Sequence, residues 1–229
     1  MDIHKLKSDL QTKGYTQFNL KDFNEDYYNQ LLPLKCNETQ NLKHLMLSCR
    51  LDASPKGFSR TNAVHLNNHY ASFDIAKSEK DDIVNTLDLD TMFQNWYYCD
   101  YLQLPLNNSI EKIKHNIARS LFSIDDSIKI KNFIRNITFF DTGCGIINHV
   151  DGTYEDRICA IMIYLNETYD INDGGILKLK NEEEVLPIFG NVAVISLDKN
   201  NGNPEHEVTK VTGGIGRYSI TTFINYKVA

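Results

Sequence analysis

The residues best equipped for chemistry are His149, Asp151, His206 and Arg217. His149-Val150-Asp151 offers an imidazole and a carboxylate two positions apart, and His206 adds a second imidazole far downstream. On an extended strand, side chains two apart point to the same side, so His149 and Asp151 face one point while Val150 turns away. With His206 on a neighbouring strand, two nitrogens and one oxygen occupy one face of an octahedral transition-metal ion. The remaining positions stay open to small ligands. Arg217 follows eleven residues after His206, and a guanidinium recognises a planar two-oxygen anion through paired hydrogen bonds. Taken singly, each has a plainer reading: a satisfied core histidine, an aspartate that caps a turn, an arginine in a surface ion pair. Their combination and order favour the metal site.

These groups must be carried by a scaffold, and 229 residues suffice for a single composite domain. Residues 1–126 read as a helical and mixed support and substrate-lid region, and residues 127–229 as the β-rich core that holds the site. A content of 41% hydrophobic and 24% charged residues is that of an ordinary globular protein. The net charge of -6 leaves no basic surplus to neutralise phosphates, which argues against nucleic acid as a partner. No apolar run is long enough to cross a bilayer, and Met1 to Lys5 opens no signal peptide. A cytoplasmic protein without a membrane partner is the expectation. Cys36, Cys49, Cys99, Cys144 and Cys159 are widely spaced and form no C-x-x-C pair, so they read as reduced, mostly buried thiols.

Ile3, Leu6 and Leu10 share one face of a helix over Ile3 to Lys13, with Gly14 as its cap. Tyr15 to Leu20 alternates like a strand, and Glu25 to Leu32 reads as a helix ended near Pro33. Asn41 to Leu51 is apolar and ambiguous. Asp52 to Tyr70 is polar and reads as a long loop. A short helix opens at Ser78, an aromatic strand spans Trp96 to Leu104, and Ile110, Ile113, Ile117 and Leu121 form one stripe of a helix over Asn108 to Phe122. Beyond residue 127 come short β runs: Ile128 to Phe140, Ile146 to Asp151, Ile158 to Leu165, Gly175 to Leu179, Glu184 to Ile188, Val192 to Leu197, His206 to Val211 and Arg217 to Tyr226. Gly and Asn pairs punctuate them. Eight such runs fit a two-sheet jelly roll, an α+β and mainly β chain whose N-terminal helices buttress the outer face of one sheet. The Gly213 to Gly216 run precedes a strand rather than opening a helix, so it is no phosphate loop. His65 and His69 would need a helix to share a metal, which Asn67 and Asn68 disfavour.

Phe140-Asp-Thr-Gly143, His149-Val-Asp151, Arg157, Ile163-Tyr-Leu-Asn166, Gly174-Gly-Ile-Leu-Lys-Leu179, His206-Glu-Val208 and Arg217-Tyr-Ser-Ile-Thr-Thr222 run in order. Together they resemble the Fe(II)/2-oxoglutarate dioxygenase superfamily, and within it the prolyl-4-hydroxylase-like branch that includes the hypoxia-type prolyl hydroxylases. The resemblance covers roughly Ile128 to Tyr226 and implies a double-stranded β-helix (cupin-like) core. It implies that His149, Asp151 and His206 bind Fe(II) as both metal ligands and catalytic residues. It also implies that 2-oxoglutarate chelates the ion through its C1 carboxylate and keto oxygen, with its far carboxylate held by Arg217, Tyr164 and Thr221. O2, and ascorbate as reductant in vitro, complete the cofactor set. Arg217, Ser219 and Thr221 alternate, so all three point inward on a regular strand. The implied reaction hydroxylates an unactivated C–H and releases succinate and CO2. A carboxylate at position 151 bears on this outcome, because halogenases of the superfamily carry a small residue there and admit halide.

The resemblance says less of the substrate. Arg157 matches the position of an arginine near the substrate opening of hypoxia-type relatives, Asn148 and Thr153 flank the metal ligands, and the loop with Arg60 is the candidate lid. Arg60 or Arg157 would receive the anionic group of a free amino acid or related small metabolite, the favoured substrate. The alternative is a peptidyl proline in an open groove. A third reading is a non-catalytic jelly-roll metal-binding module whose His/Asp cluster holds zinc or nothing.

Overall fold

The computed structural model describes residues 1–37, 59–60, 96–100, 106–151, 157–197 and 203–226. The apolar segment from Asn41, most of the expected lid, the short helix at Ser78 and the end of the aromatic strand lie outside the described residues.

Helix α1, Ile3–Lys13, starts where the Asp2 carboxylate accepts from the His4 and Lys5 amides, and ends at Gly14, whose φ is 80°. The left-handed turn costs a residue with a side chain roughly 1–2 kcal/mol, which explains the glycine. Strand β1, Tyr15–Asn19, leads into two short helices, α2 (Leu20–Phe23) and α3 (Glu25–Leu31). Asn19 and Asn24 cap them by accepting from the Lys21 and Tyr27 amides. The helix read as reaching Leu32 stops at Leu31, because the chain tightens into a 3-10 turn at Leu32–Leu34 that accommodates Pro33. Four residues carry no periodicity, so α2 had no signal of its own. Helix α4, Asn107–Phe122, buries the expected stripe of Ile110, Ile113, Ile117 and Leu121.

The strands that follow β1 are β2 (Ser59–Arg60), β3 (Trp96–Asp100), β4 (Ile130–Phe140), β5 (Ile146–His149), β6 (Arg157–Tyr164), β7 (Leu177–Leu179), β8 (Glu184–Val185), β9 (Asn191–Ser196), β10 (His206–Val208) and β11 (Arg217–Tyr226). Each β run read from the C-terminal half is a strand, usually trimmed at its ends. Ser59–Arg60 corrects one expectation: it pairs with β3 as an edge strand, where a continuous loop was expected. The strands form a seven-stranded sheet in the order β1-β9-β6-β11-β4-β3-β2 and a four-stranded sheet in the order β5-β10-β7-β8.

Strand alternation sorts the core into two layers. On the outer face of the larger sheet, Ile161 and Ile163 of β6, Val192 and Val194 of β9, and Tyr218, Ile220 and Ile224 of β11 pack with α1 and α4. On the inner face, Tyr15, Phe140, Ala160, Met162, Tyr164, Ala193 and Ile195 pack with Leu177, Leu179, Val185 and Val208 of the smaller sheet. Each fully buried Ile or Leu contributes about 1.5–3 kcal/mol. Strand β6 is buried on both faces over Ile158 to Tyr164 and is accordingly almost continuously apolar. The helices therefore cover the outer side and the site lies on the inner side. No helix among the described residues is long and apolar enough to cross a membrane.

Candidate active site

Strands β5 and β10 are antiparallel neighbours whose register sets His206 opposite His149. Opposed side chains on one face stand close, and the two imidazoles lie 4.2 Å apart between ring centroids at 54°. Both Nε2 atoms address the same carboxylate: His149 is 3.6 Å from Asp151 Oδ1 and His206 is 3.7 Å from Asp151 Oδ2. One ligand atom from each residue lies within 4.8 Å of the other two. The three far-apart residues thus converge. The alternation argument needs one correction, because β5 ends at His149 and Asp151 stands beyond it, outside the strand ladder.

His206 is buried, and its Nδ1–H donates to the Pro204 carbonyl at 3.1 Å, which leaves the Nε2 lone pair free for a metal. Burial pushes the pKa of His206 below the usual histidine range, against the opposing pull of Asp151, and so favours the neutral imidazole that a cation requires. Two imidazoles and a carboxylate fit a divalent first-row ion.

The anion pocket is built on β11 and β6, where Ser219 pairs with Tyr164. Arg217 is only 3% exposed. Its Nη2 donates to the Tyr164 hydroxyl at 3.3 Å and its Nη1 to Ser219 Oγ at 3.4 Å. The guanidinium carbon lies 4.9 Å from the Phe140 ring centroid and 5.0 Å from that of Tyr164. Its Nε is buried with no hydrogen-bond partner, and no carboxylate among the described residues pairs with it. A buried charge in that condition is costly unless an anion completes it. Burial raises the pKa of Tyr164 despite the opposing guanidinium, so the phenol keeps its proton and can donate to the same anion. Thr221 extends the row, 3.4 Å from Ser219 Oγ and accepting from Thr138 Oγ1 at 3.3 Å. The inward alternation of Arg217, Ser219 and Thr221 holds. A dicarboxylate such as 2-oxoglutarate therefore fits this chain's residues at its far end.

Two supporting residues, Ser219 and Asn166, lie within the motifs read from the sequence, which assigned them no ligand role. Ser219 is the hydroxyl that touches Arg217. Asn166 is buried, donates to the Gly216 carbonyl at 2.6 Å and accepts from the Tyr218 amide at 2.8 Å, so it fixes the backbone on both sides of Arg217.

The expected substrate residues are less gathered. The Arg157 guanidinium carbon stacks 4.6 Å from the Phe223 ring centroid, on the same face of β11 as Thr221. Asn148 is exposed and donates to Glu205 Oε2 at 3.3 Å; as the neighbour of His149 on β5 it faces away from the triad. Arg60 lies on β2 at the far edge of the larger sheet, and Thr153 is outside the described residues.

The two-sheet β core thus carries a His149/Asp151/His206 cluster and a buried guanidinium that pairs with no carboxylate among the described residues. Residues 136–225 match the model of the 2OG-Fe(II) oxygenase superfamily. No curated protein sequence matches the chain. Among solved structures the fold is shared with a Trichoplax adhaerens prolyl hydroxylase in complex with a hypoxia inducible factor oxygen degradation domain peptide fragment. That likeness has a TM-score of 0.59 at 16% identity, over 97% of this chain and 88% of that one. A Pseudomonas putida prolyl-4-hydroxylase gives 0.52 at 17% identity, over 99% and 100%. AviO1 from Streptomyces viridochromogenes gives 0.59 at 9% identity, over 100% and 96%. The resemblance to the prolyl-4-hydroxylase-like branch therefore extends from the motifs to the fold.

Gly175 gives a local test of the pocket. Its φ is +72°, and a Cβ there would stand 3.2 Å from Arg217 Cβ and 3.3 Å from Arg217 Cδ. Gly175→Ala is expected to push the arginine stem aside and raise the KM for 2-oxoglutarate about tenfold, with a smaller change in kcat. Steady-state kinetics at varied 2-oxoglutarate checks this. The positive φ adds a stability cost of roughly 1–2 kcal/mol, visible in the Tm.

Proposed function

We propose that the protein hydroxylates an unactivated C–H bond of a small molecule, a free amino acid or related metabolite, using Fe(II), 2-oxoglutarate and O2 and releasing succinate and CO2. The observation that carries the reading is the pairing of the His149/Asp151/His206 triad with the buried Arg217 guanidinium, which lacks a carboxylate partner among the described residues. In this reading His149, Asp151 and His206 hold the iron. Arg217 and the Tyr164 hydroxyl bind the far carboxylate of 2-oxoglutarate, with Ser219 and Thr221 completing the row of donors. When bound, iron and 2-oxoglutarate supply the oxidising power that a C–H bond requires; the protein supplies orientation and exclusion of water. Phe140 and Tyr164 sandwich the guanidinium, keep water from it and so strengthen its grip on the anion.

Substrate placement falls to Arg157. Its guanidinium rests on Phe223, on the same face of β11 as Thr221, and in this reading receives a substrate carboxylate. A peptidyl proline is the second reading, supported by the fold shared with a prolyl hydroxylase solved with a peptide. Incubating the purified protein with iron, ascorbate and 2-oxoglutarate against panels of amino acids and of proline peptides, with mass spectrometry of the products, separates the two. A gain of one oxygen atom in a free amino acid, matched by succinate, is the expected result. Oxidation confined to peptides would overturn the small-molecule reading, and succinate formation with no panel member would remove both.

A further inference from the structure

Asp151 presents a positioning problem that the sheet does not solve. The register places His206 opposite His149 on β5 and β10, and β5 stops there. Continued by two residues from the His206–His149 pair, the ladder would set Asp151 opposite Pro204. Proline has no N–H to give, so it cannot serve the Asp151 carbonyl. That carbonyl is nevertheless bonded: the Asn203 side-chain amide donates to it. Pro204 turns its own carbonyl to His206 Nδ1 at 3.1 Å, and Glu205 accepts from Asn148, the neighbour of His149, at 3.3 Å. The Lys180 amide donates to the Glu205 carbonyl at 3.1 Å and ties the segment to the smaller sheet.

We infer that Asn203 is a positioning residue for the iron site, its amide holding the Asp151 backbone where the chain runs on beyond β5. The assignment rests on the metal site proposed above. In it, consecutive residues Asn203, Pro204 and Glu205 each fasten one part of the triad: the aspartate backbone, the second imidazole and the strand bearing the first. The proline ends the ladder, which frees Asp151 to turn its carboxylate toward both Nε2 atoms. The asparagine then replaces the lost backbone donor. Side chains that orient a metal ligand change affinity about 10–100-fold when removed.

The test uses cobalt(II) as the probe, because its visible absorption reports ligand geometry without turnover. Asn203→Ala removes the donor, and Asn203→Asp keeps the shape but offers only acceptors. Both are expected to weaken cobalt(II) binding about tenfold or more and to alter the visible spectrum, while the Tm of the metal-free protein stays near that of the wild type. A cobalt Kd within twofold of wild type and an unchanged spectrum, in either variant, would overturn the assignment, as would a lowered metal-free Tm as the sole effect. Absence of any cobalt spectrum in the wild-type protein would overturn the triad itself and this assignment with it.

Discussion

Arg217→Met is expected to raise the KM for 2-oxoglutarate at least about a hundredfold while the metal-free protein keeps its Tm or gains a little. Truncating one member of a buried, hydrogen-bonded charge pair costs roughly 2–5 kcal/mol, and each 1.4 kcal/mol is about tenfold in affinity. The stability half of the expectation comes from the same burial. Arg217 is 3% exposed, lies between the rings of Phe140 and Tyr164, and leaves its Nε without a partner. Without cosubstrate that charge opposes folding, and a methionine of similar length fills the slot without it. A purely structural arginine would behave in the opposite way, with unchanged KM and a lower Tm. Thermal shift with and without 2-oxoglutarate, beside steady-state kinetics, distinguishes the two. Arg217→Lys should recover part of the affinity, since it restores the charge but lacks the fork.

The second large effect falls on the metal. His206→Ala is expected to weaken Fe(II) or cobalt(II) binding by more than about a hundredfold, exceeding what loss of a supporting residue costs, and to abolish succinate formation. The imidazole contributes the Nε2 that stands 3.7 Å from Asp151 Oδ2, and its ring lies 4.2 Å from that of His149. No other described histidine joins Asp151 and His149 within ligand distance, so none of the described histidines can replace it. Metal titration followed by optical absorption checks the binding, and a coupled succinate assay checks turnover. Retained turnover in the variant would sink the assigned ligand.

Legibility in the sequence followed the range of each interaction. Gly14 after the Leu6 and Leu10 stripe was readable because a helix cap is a local event, and the structure places α1 between the expected bounds. The strands from residue 130 onward were readable as short β runs set off by glycine and asparagine turns. His149, Asp151, His206 and Arg217 stood out as candidates because their chemistry is rare in that order and resembles a known family, and the first three converge in the fold. Asn203, and Asn166 although it ends the Ile163-Tyr-Leu-Asn166 motif, carried no such signal of their partners. Their bonds reach Gly216, Tyr218 and Asp151, fifty or more residues away, and one asparagine looks like another until the chain is folded. Asn148 shows the opposite failure: adjacency to His149 suggested a role, yet strand parity turns it outward to Glu205.

Strand β11 carries Arg217, Ser219 and Thr221 on one side, and Tyr218, Ile220 and Ile224 on the other among α1 and α4. The Arg217 row and the helical scaffold thus share a single dividing wall, one residue thick. Loosening the scaffold from behind would blunt the grip on the dicarboxylate in front.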